Sequence, residues 1–292
     1  MEERVTIESG GLSLAGRLQI PSGSGSKSSG PRAAFLVLHG FGGNKDGNGT
    51  RAGAEMLAEL GYATLCFDMR GCGESEGERG RIICLEQVED TLSALEFLAG
   101  RPEIDANRIG VMGSSFGAAV AVYTAGVDPR PAAVISAGGW GDGERKFRGQ
   151  HATPEAWSKF TGMLDQGRLH RAETGQSLMV PRFDIVPIPE HLRHNMSAGG
   201  VMEFPAETAQ SMFDFRADDV VGNIAPRPLL LLHSAQDSVT PTEQSIEMFK
   251  RAGKPTDLIL LADVDHFTFG EQNPRVRAIV GDWLKKFFPA QI

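Results

Sequence analysis

The chain has 292 residues, of which 41% are hydrophobic, and a formal net charge of -8 at pH 7. Its length suits one large α/β domain with an insertion, and its acidic balance argues against nucleic acid and other polyanions as partners. No stretch approaches the ~18 apolar residues of a membrane span, and the first residues lack the basic and then apolar pattern of a secretory signal. We therefore expect a cytoplasmic protein that does not bind membranes.

The cysteines and histidines show no pattern of a disulfide framework or a metal site. Cys66, Cys72 and Cys84 are an odd number without CxxC spacing, which indicates reduced thiols. His191 and His194 are three residues apart, as on one face of a helix, but the sequence supplies no further ligand. We expect neither a metal nor another cofactor.

The first predicted elements are two half-exposed strands within residues 5–20, joined by a turn at 9–11. The Ser- and Gly-rich stretch 21–31 is predicted to be a flexible connection. Six short apolar runs follow, separated by helical patterns, and they cover residues 33–38, 63–67, 109–113, 132–136, 229–232 and 258–261. Buried runs that alternate with helices predict a mostly parallel, twisted sheet, here of about eight strands with an antiparallel hairpin at one edge and helices on both faces.

The predicted helices carry apolar residues at helical spacing. One covers about residues 50–60 and ends at Gly61, and another presents Leu85, Val88, Leu92, Leu95 and Leu98 on one face. The last helix, near residues 274–288, presents a core-facing apolar stripe.

The strand and helix alternation stops between residues 136 and 229. This stretch is too long for an ordinary crossover and carries helical fragments, several prolines and scattered aromatic residues. We predict an inserted, mainly helical cap over 140–222, above the carboxyl ends of the strands. The core of the fold would then comprise residues 1–139 and 223–292.

Residues 109–119 join an apolar run to a small-residue helix through Gly113-Ser114-Ser115-Phe116-Gly117. Glycines two positions before and after a serine remove the Cβ atoms that would clash in a sharp strand-to-helix turn. The pattern predicts Ser115 as an exposed nucleophile, in preference to Ser114, which lacks the flanking glycines. The backbone N–H of Phe116 opens the helix and points to where an oxyanion would form.

A serine nucleophile needs a base and a carboxylate that orients the base. His266 follows the last apolar run, and Asp237 follows the run before it, so both are predicted at strand ends. Asp142, after an earlier strand, competes with Asp237 as the acid. Asp263 and Asp265 are expected to shape the loop around His266 or to remain solvated.

These motifs resemble those of the α/β-hydrolase superfamily. The resemblance rests on 39–42 (His-Gly-Phe-Gly), 68–75 (Asp-Met-Arg-Gly-Cys-Gly-Glu-Ser), 113–117 and 265–267, and covers nearly everything outside the predicted cap. The opening hairpin further resembles the esterase, S15-peptidase, cocaine-esterase and feruloyl-esterase-like branches.

The resemblance implies a role for each of these residues. Ser115 would attack a carbonyl, His266 would accept its proton and later activate water, and Asp237 would orient the imidazole. The backbone N–H groups of Phe41 and Phe116 would form the oxyanion hole.

Trp140, directly beyond a strand, is predicted to contact substrate. Other cap residues could line the pocket or simply pack, and these are His151, Trp157, Phe160, His170, His191 and His194.

The predicted function is hydrolysis of a carboxylic ester of a small molecule through an acyl-enzyme on Ser115. Amide or peptide, thioester and carbon–carbon (diketone) cleavage remain alternatives. A second class is a non-catalytic ligand-binding protein on the same fold. The sequence leaves a homodimer open.

Overall fold

The computed structural model describes residues 2–21, 30–270 and 273–290, and its main feature is an eight-stranded sheet. The strands in chain order are β1 Glu2–Ser9, β2 Leu12–Gln19, β3 Arg32–Leu38, β4 Ala63–Phe67, β5 Ile104–Ser114, β6 Pro131–Ala137, β7 Met179–Pro181, β8 Glu203–Pro205, β9 Leu229–Ser234 and β10 Thr256–Leu261. The helices are α1 Asn48–Glu59, α2 Cys84–Ala99, α3 Phe116–Val127, α4 Gly143–Gln150, α5 Pro154–Thr174, α6 Arg182–Ile185, α7 Ala206–Asp214, α8 Glu243–Arg251 and α9 Pro274–Phe287.

The large sheet has the order β1-β2-β4-β3-β5-β6-β9-β10. β1 and β2 form the predicted antiparallel hairpin, and their turn uses Gly10 and Gly11 at φ +57 and +82, values that favour glycine. β2 pairs antiparallel with β4, and the remaining neighbours are parallel. The predicted α/β-hydrolase fold is therefore confirmed, whereas most of the predicted connection, residues 22–29, lies outside the described residues.

The sheet separates two hydrophobic clusters, because successive side chains of a strand point to opposite faces. In β3, Leu36 packs into the cluster that contains residues of α2 and α3, and Phe35 and Val37 pack into the cluster that contains residues of α1 and α9. Burying one such side chain contributes about 1.5–3 kcal/mol. This two-sided burial explains why the central strands are continuous apolar runs.

Two details differ from the predicted pattern. β10 is half-exposed, with Leu260 40% exposed, because it is an edge strand whose only partner in the described sheet is β9. Leu85 is 53% exposed at the start of α2, although Val88, Leu95 and Leu98 of its predicted stripe are buried.

The chain between β6 and β9 carries α4 to α7, three short 3-10 helices and the two-stranded sheet β7-β8. This content agrees with a mainly helical insertion, and the division into core and cap stays a prediction. In the part of the chain that is described, no helix has the length and apolar character needed to cross a membrane.

Candidate active site

The turn between β5 and α3 holds Ser115 in a backbone conformation that side chains rarely adopt. Ser115 has φ 54, and it alone among the described non-glycine residues has a positive φ. A Cβ on Gly113 would lie 2.1 Å from the Gly117 carbonyl oxygen, and one on Gly117 would lie 2.6 Å from the carbonyl oxygens of Leu38 and His39. Both glycines are thus required by close backbone approach.

Three loops bring Ser115, His266 and Asp237 together. Ser115 Oγ donates to His266 Nε2 at 2.8 Å, and His266 Nδ1 donates to Asp237 Oδ2 at 2.9 Å. The side chains of His266 and Asp237 are only 4% and 1% exposed. The tautomer that these contacts favour leaves Nε2 free to accept the serine proton.

Asp237 is held as a carboxylate by its surroundings. Burial alone would raise its pKa, but the charges and hydrogen bonds of His266 and His233 hold that pKa well below its usual range. The backbone N–H groups of Val239 and Thr240 also donate to Asp237 Oδ1, at 2.8 and 2.7 Å. The carboxylate therefore remains charged at neutral pH.

His233 is a second histidine on this carboxylate, and sequence reasoning missed it. Its Nε2 lies 3.3 Å from Asp237 Oδ2 and 3.0 Å from the carbonyl oxygen of Thr240, which can only accept. Nε2 thus carries the proton, and Nδ1 accepts from Ser245 Oγ at 2.7 Å. The only signal in the sequence was its position at the end of the β9 run.

The competing carboxylates lie elsewhere. Asp142 caps α4 by accepting from the Arg145 N–H at 2.8 Å and pairs with Arg216 Nε at 3.3 Å. Asp265 accepts from the His266 backbone N–H at 2.8 Å and from Ser238, so it shapes the loop that presents the imidazole.

Phe41 and Phe116 flank the serine from two sides. Phe116 is the first residue of α3, and Phe41 lies between β3 and α1. Within the described chain, neither backbone N–H has a recorded protein acceptor. The Phe41 ring stacks on Phe204 at 4.3 Å, and Gly42 takes φ +55 beside it. The lack of a protein acceptor agrees with the predicted oxyanion hole, which stays a prediction.

A cavity of about 80 Å³ opens at Ser115. Part of its wall comes from the predicted cap, through Arg182, Val186, Ile188, Asn195, Met196, Ser197 and Gly200. Sequence reasoning named none of these residues, because a lining position depends on how distant segments pack. Arg182 and His266 are the only ionisable side chains among the described lining residues.

Trp140 is not brought into this cavity. It is 1% exposed and packs against Phe116 at 5.7 Å and Phe215 at 6.4 Å, so its ring lies in the core and does not face a substrate. Of the other cap candidates, His151 bonds to the Ile185 carbonyl at 3.1 Å and stacks on Phe160. None of the cap candidates named from the sequence lines the cavity in the described structure.

The cysteines are unpaired, and the described residues contain no cluster of potential metal ligands. All three thiols are free and buried, and burial raises the pKa of each, to about 11 for Cys66 and about 12 for Cys72 and Cys84. Residues 2–21, 30–270 and 273–290 contain no group of three or more His, Cys, Asp or Glu side chains that could hold a metal ion.

Comparison with protein families and known proteins places this geometry in context. The model of the alpha/beta hydrolase family matches residues 35–279, which is most of the chain. The thiohydrolase aneE of Aspergillus aculeatus is 27% identical over 283 residues, covering 90% of this chain and 85% of that protein.

Solved structures show the same fold at low identity. The hypothetical protein PA2218 from Pseudomonas aeruginosa superposes with a TM-score of 0.82 at 22% identity, covering 99% of this chain and 94% of that one. Est1E from Butyrivibrio proteoclasticus, solved with ferulic acid bound, gives a TM-score of 0.65 at 19% identity, covering 97% and 100%.

Proposed function

The chain belongs to the alpha/beta hydrolase family, and from that premise we propose that it is a serine hydrolase that cleaves a carboxylic ester of a small molecule. The observation that carries the proposal is the hydrogen-bonded chain from Ser115 through His266 to Asp237, which ends at a cavity. The three residues would form the catalytic triad of the reaction.

The geometry supports a two-step acyl transfer. His266 Nε2 takes the Ser115 proton as Oγ attacks the ester carbonyl, and the N–H groups of Phe41 and Phe116 stabilise the oxyanion. His266⁺ then protonates the leaving alcohol, while Asp237 stabilises the imidazolium. In the second half, His266 activates a water that hydrolyses the acyl-enzyme and releases the carboxylic acid.

A thioester is the second candidate substrate, because a relative that matches 90% of this chain is named a thiohydrolase. The same serine, base and oxyanion donors act on both carbonyl types, so the structure alone does not separate them. Matched substrate pairs with the same acyl group, one an oxygen ester and one a thioester, separate the two by kcat/KM.

The test of the proposed function is covalent labelling followed by turnover. A fluorophosphonate should add once, at Ser115, as measured by intact mass and peptide mapping. Ser115→Ala should lose the adduct and lower kcat on p-nitrophenyl esters by about 10⁴-fold or more. Ser114→Ala is the matched control, and it should retain the adduct. An adduct at another residue, or turnover that survives in Ser115→Ala, would contradict the proposal.

A further inference from the structure

Arg182 is a buried arginine in the wall of the Ser115 cavity. It is the first residue of α6 and is 7% exposed. The loop that holds Phe41 lies against it, and a Cβ on Gly42 would lie 2.8 Å from Arg182 Nη1. The guanidinium therefore lies beside the proposed oxyanion hole.

Neutral groups surround the guanidinium. Nη2 donates to the Phe41 carbonyl at 2.6 Å and Nη1 donates to the Val201 carbonyl at 2.9 Å, whereas Nε has no recorded partner in the described chain. The rings of Phe41 and Phe204 lie 5.1 and 6.0 Å from its central carbon. A guanidinium has five N–H donors, so these two bonds leave most of its capacity unused.

No carboxylate of the described residues lies within 4.0 Å of Arg182. Two other buried cations are paired with carboxylates: Lys45 Nζ lies 2.9 Å from Asp68, and Arg70 Nη2 lies 2.6 Å from Asp90. Burial lowers the pKa of Arg182 to about 10, which still leaves the group charged at neutral pH. The protein thus keeps a positive charge beside Ser115 without a negative charge of its own to offset it.

We infer that the missing negative charge belongs to the substrate, and that the site takes esters whose acyl group ends in a carboxylate. A carboxylate is the planar, two-oxygen partner that a guanidinium binds best. The small cavity favours short acyl groups, such as the succinyl and glutaryl groups of the half-esters of succinic and glutaric acids. The inference rests on the proposed serine hydrolase and assigns the substrate class to the same cavity.

The reaction on such a half-ester needs no further reactant. Ser115 Oγ forms the acyl bond as the ester C–O bond breaks, and His266⁺ gives its proton to the leaving alcohol. Water then cleaves the acyl-enzyme and the dicarboxylic acid leaves. The distal carboxylate stays ionised beside Arg182 throughout and changes no bond.

The experiment compares each p-nitrophenyl half-ester with its methyl p-nitrophenyl diester, which has nearly the same shape and no charge. The quantity measured is the ratio of kcat/KM for the half-ester to kcat/KM for the diester, with rates in Ser115→Ala subtracted as background. We expect a ratio above about 10 in the wild type. In Arg182→Gln this ratio should fall by about 10- to 100-fold, which corresponds to the usual free-energy contribution of a hydrogen bond to a charged group. Arg182→Lys should retain part of the ratio.

Arg79→Gln is the matched control, because Arg79 is exposed and donates to the Gly199 carbonyl at 2.9 Å in the neighbouring loop. Its ratio should equal that of the wild type. Should Arg182→Gln fail to fold, inhibition of the wild type by glutarate against the neutral glutaramide measures the same preference, with glutarate expected to bind at least about 10-fold more tightly.

A wild-type ratio at or below one would overturn the inference. It would also be overturned if Arg182→Gln lowered kcat/KM equally for the half-ester and the diester, because Arg182 would then only position the Phe41 loop. Neither result touches the proposed function, since Ser115-dependent turnover of the neutral diester would remain. Absence of Ser115-dependent turnover of both the half-ester and the diester would instead contradict the proposed function itself.

Discussion

Lys146 is a buried cation at the centre of an aromatic cluster. Its Nζ lies 4.6 Å from the Trp140 ring centroid and 3.9 Å from that of Phe147, and it has no recorded hydrogen-bond partner in the described chain. Burial lowers the pKa of Lys146 from 10.5 to about 7. Unlike Arg182, this side chain can shed its charge, so its effect on stability depends on pH.

Lys146→Met should stabilise the protein, and more so at low pH. The pKa is depressed in the folded state, so the unfolded chain binds one more proton between about pH 7 and pH 10, and wild-type stability rises with pH across that window. Below about pH 7 the buried charge destabilises the wild type in full. Urea unfolding at pH 6 should show Lys146→Met more stable by about 1–4 kcal/mol, with a gap that closes toward pH 10.

Lys285→Met provides the comparison for this effect, because Lys285 is 78% exposed on α9. Its free energy of unfolding should follow that of the wild type at each pH. If the difference in free energy of unfolding between the wild type and Lys146→Met did not change with pH, it would come from packing and not from protonation of Lys146.

Asp237→Asn should disable the site without unfolding it. An amide keeps the shape of the carboxylate but can neither stabilise His266⁺ nor enforce the Nδ1–H tautomer, so kcat should fall by about 10⁴-fold. Fluorophosphonate labelling should slow in parallel. Asp142→Asn is the control, since Asp142 caps α4, and its kcat should stay near the wild-type value. A large loss in Asp142→Asn alone would reverse the assignment of the acid.

The sequence could place residues that belong to a local motif or a strand end. Ser115, Asp237 and His266 follow three apolar runs, and parallel strands bring such ends to one edge of a sheet. Arg182 could not be found this way, because its acceptor on Phe41 is 141 residues away and depends on how the insertion packs. Trp140 shows the opposite error, since adjacency to a strand end did not reveal that its ring points into the core.

At the scale of elements, the shape of the turn that carries Ser115 depends on how closely α3 approaches β3. A Cβ on Gly117 would lie 2.6 Å from the carbonyl oxygens of Leu38, the last residue of β3, and His39. These are backbone atoms, which cannot move aside as the end of a flexible side chain can. Gly117→Ala should push α3 outward, destabilise the protein by about 1–3 kcal/mol and lower kcat by displacing Ser115. Urea unfolding and ester turnover measure the two effects.

Gly162→Ala tests the same substitution where there is room. Gly162 lies inside α5, and a Cβ there would meet nothing within 4 Å. Alanine should therefore raise stability by about 0.5–1 kcal/mol through helix propensity. If Gly117→Ala behaved like Gly162→Ala, close packing would not be the reason for the glycine.

The sequence predicted central elements better than peripheral ones. β3 and β4 are buried on both faces, so burial makes their apolar runs continuous and their bounds clear. β10 is also an apolar segment in the sequence, but it lies at the edge of the sheet and is partly exposed. Whether a strand lies at an edge depends on the strand order of the whole sheet, which the sequence of one strand does not determine.

At the scale of the whole molecule, buried contacts tie the predicted cap to the loops and helices that surround the sheet. Thr208 Oγ1 on α7 accepts from the Ile82 N–H and donates to the Gly80 carbonyl, both at 3.0 Å. Phe204 stacks on Phe41, and Trp140 packs on Phe116. Contacts of this kind couple the two regions, so we expect them to unfold together.

Thr208→Val should therefore weaken the whole molecule and not α7 alone. Valine leaves the Ile82 N–H and the Gly80 carbonyl buried without this partner, at a cost of about 1–3 kcal/mol for each group. Hydrogen exchange followed by mass spectrometry should show the slowest amides of α7 and of β5 losing protection by the same free energy. Thr161→Val removes only the hydroxyl's bonds to the Trp157 and Ser158 carbonyls within α5, so it should change protection little. Loss of protection confined to α4 to α7 would show that the insertion unfolds as a separate domain.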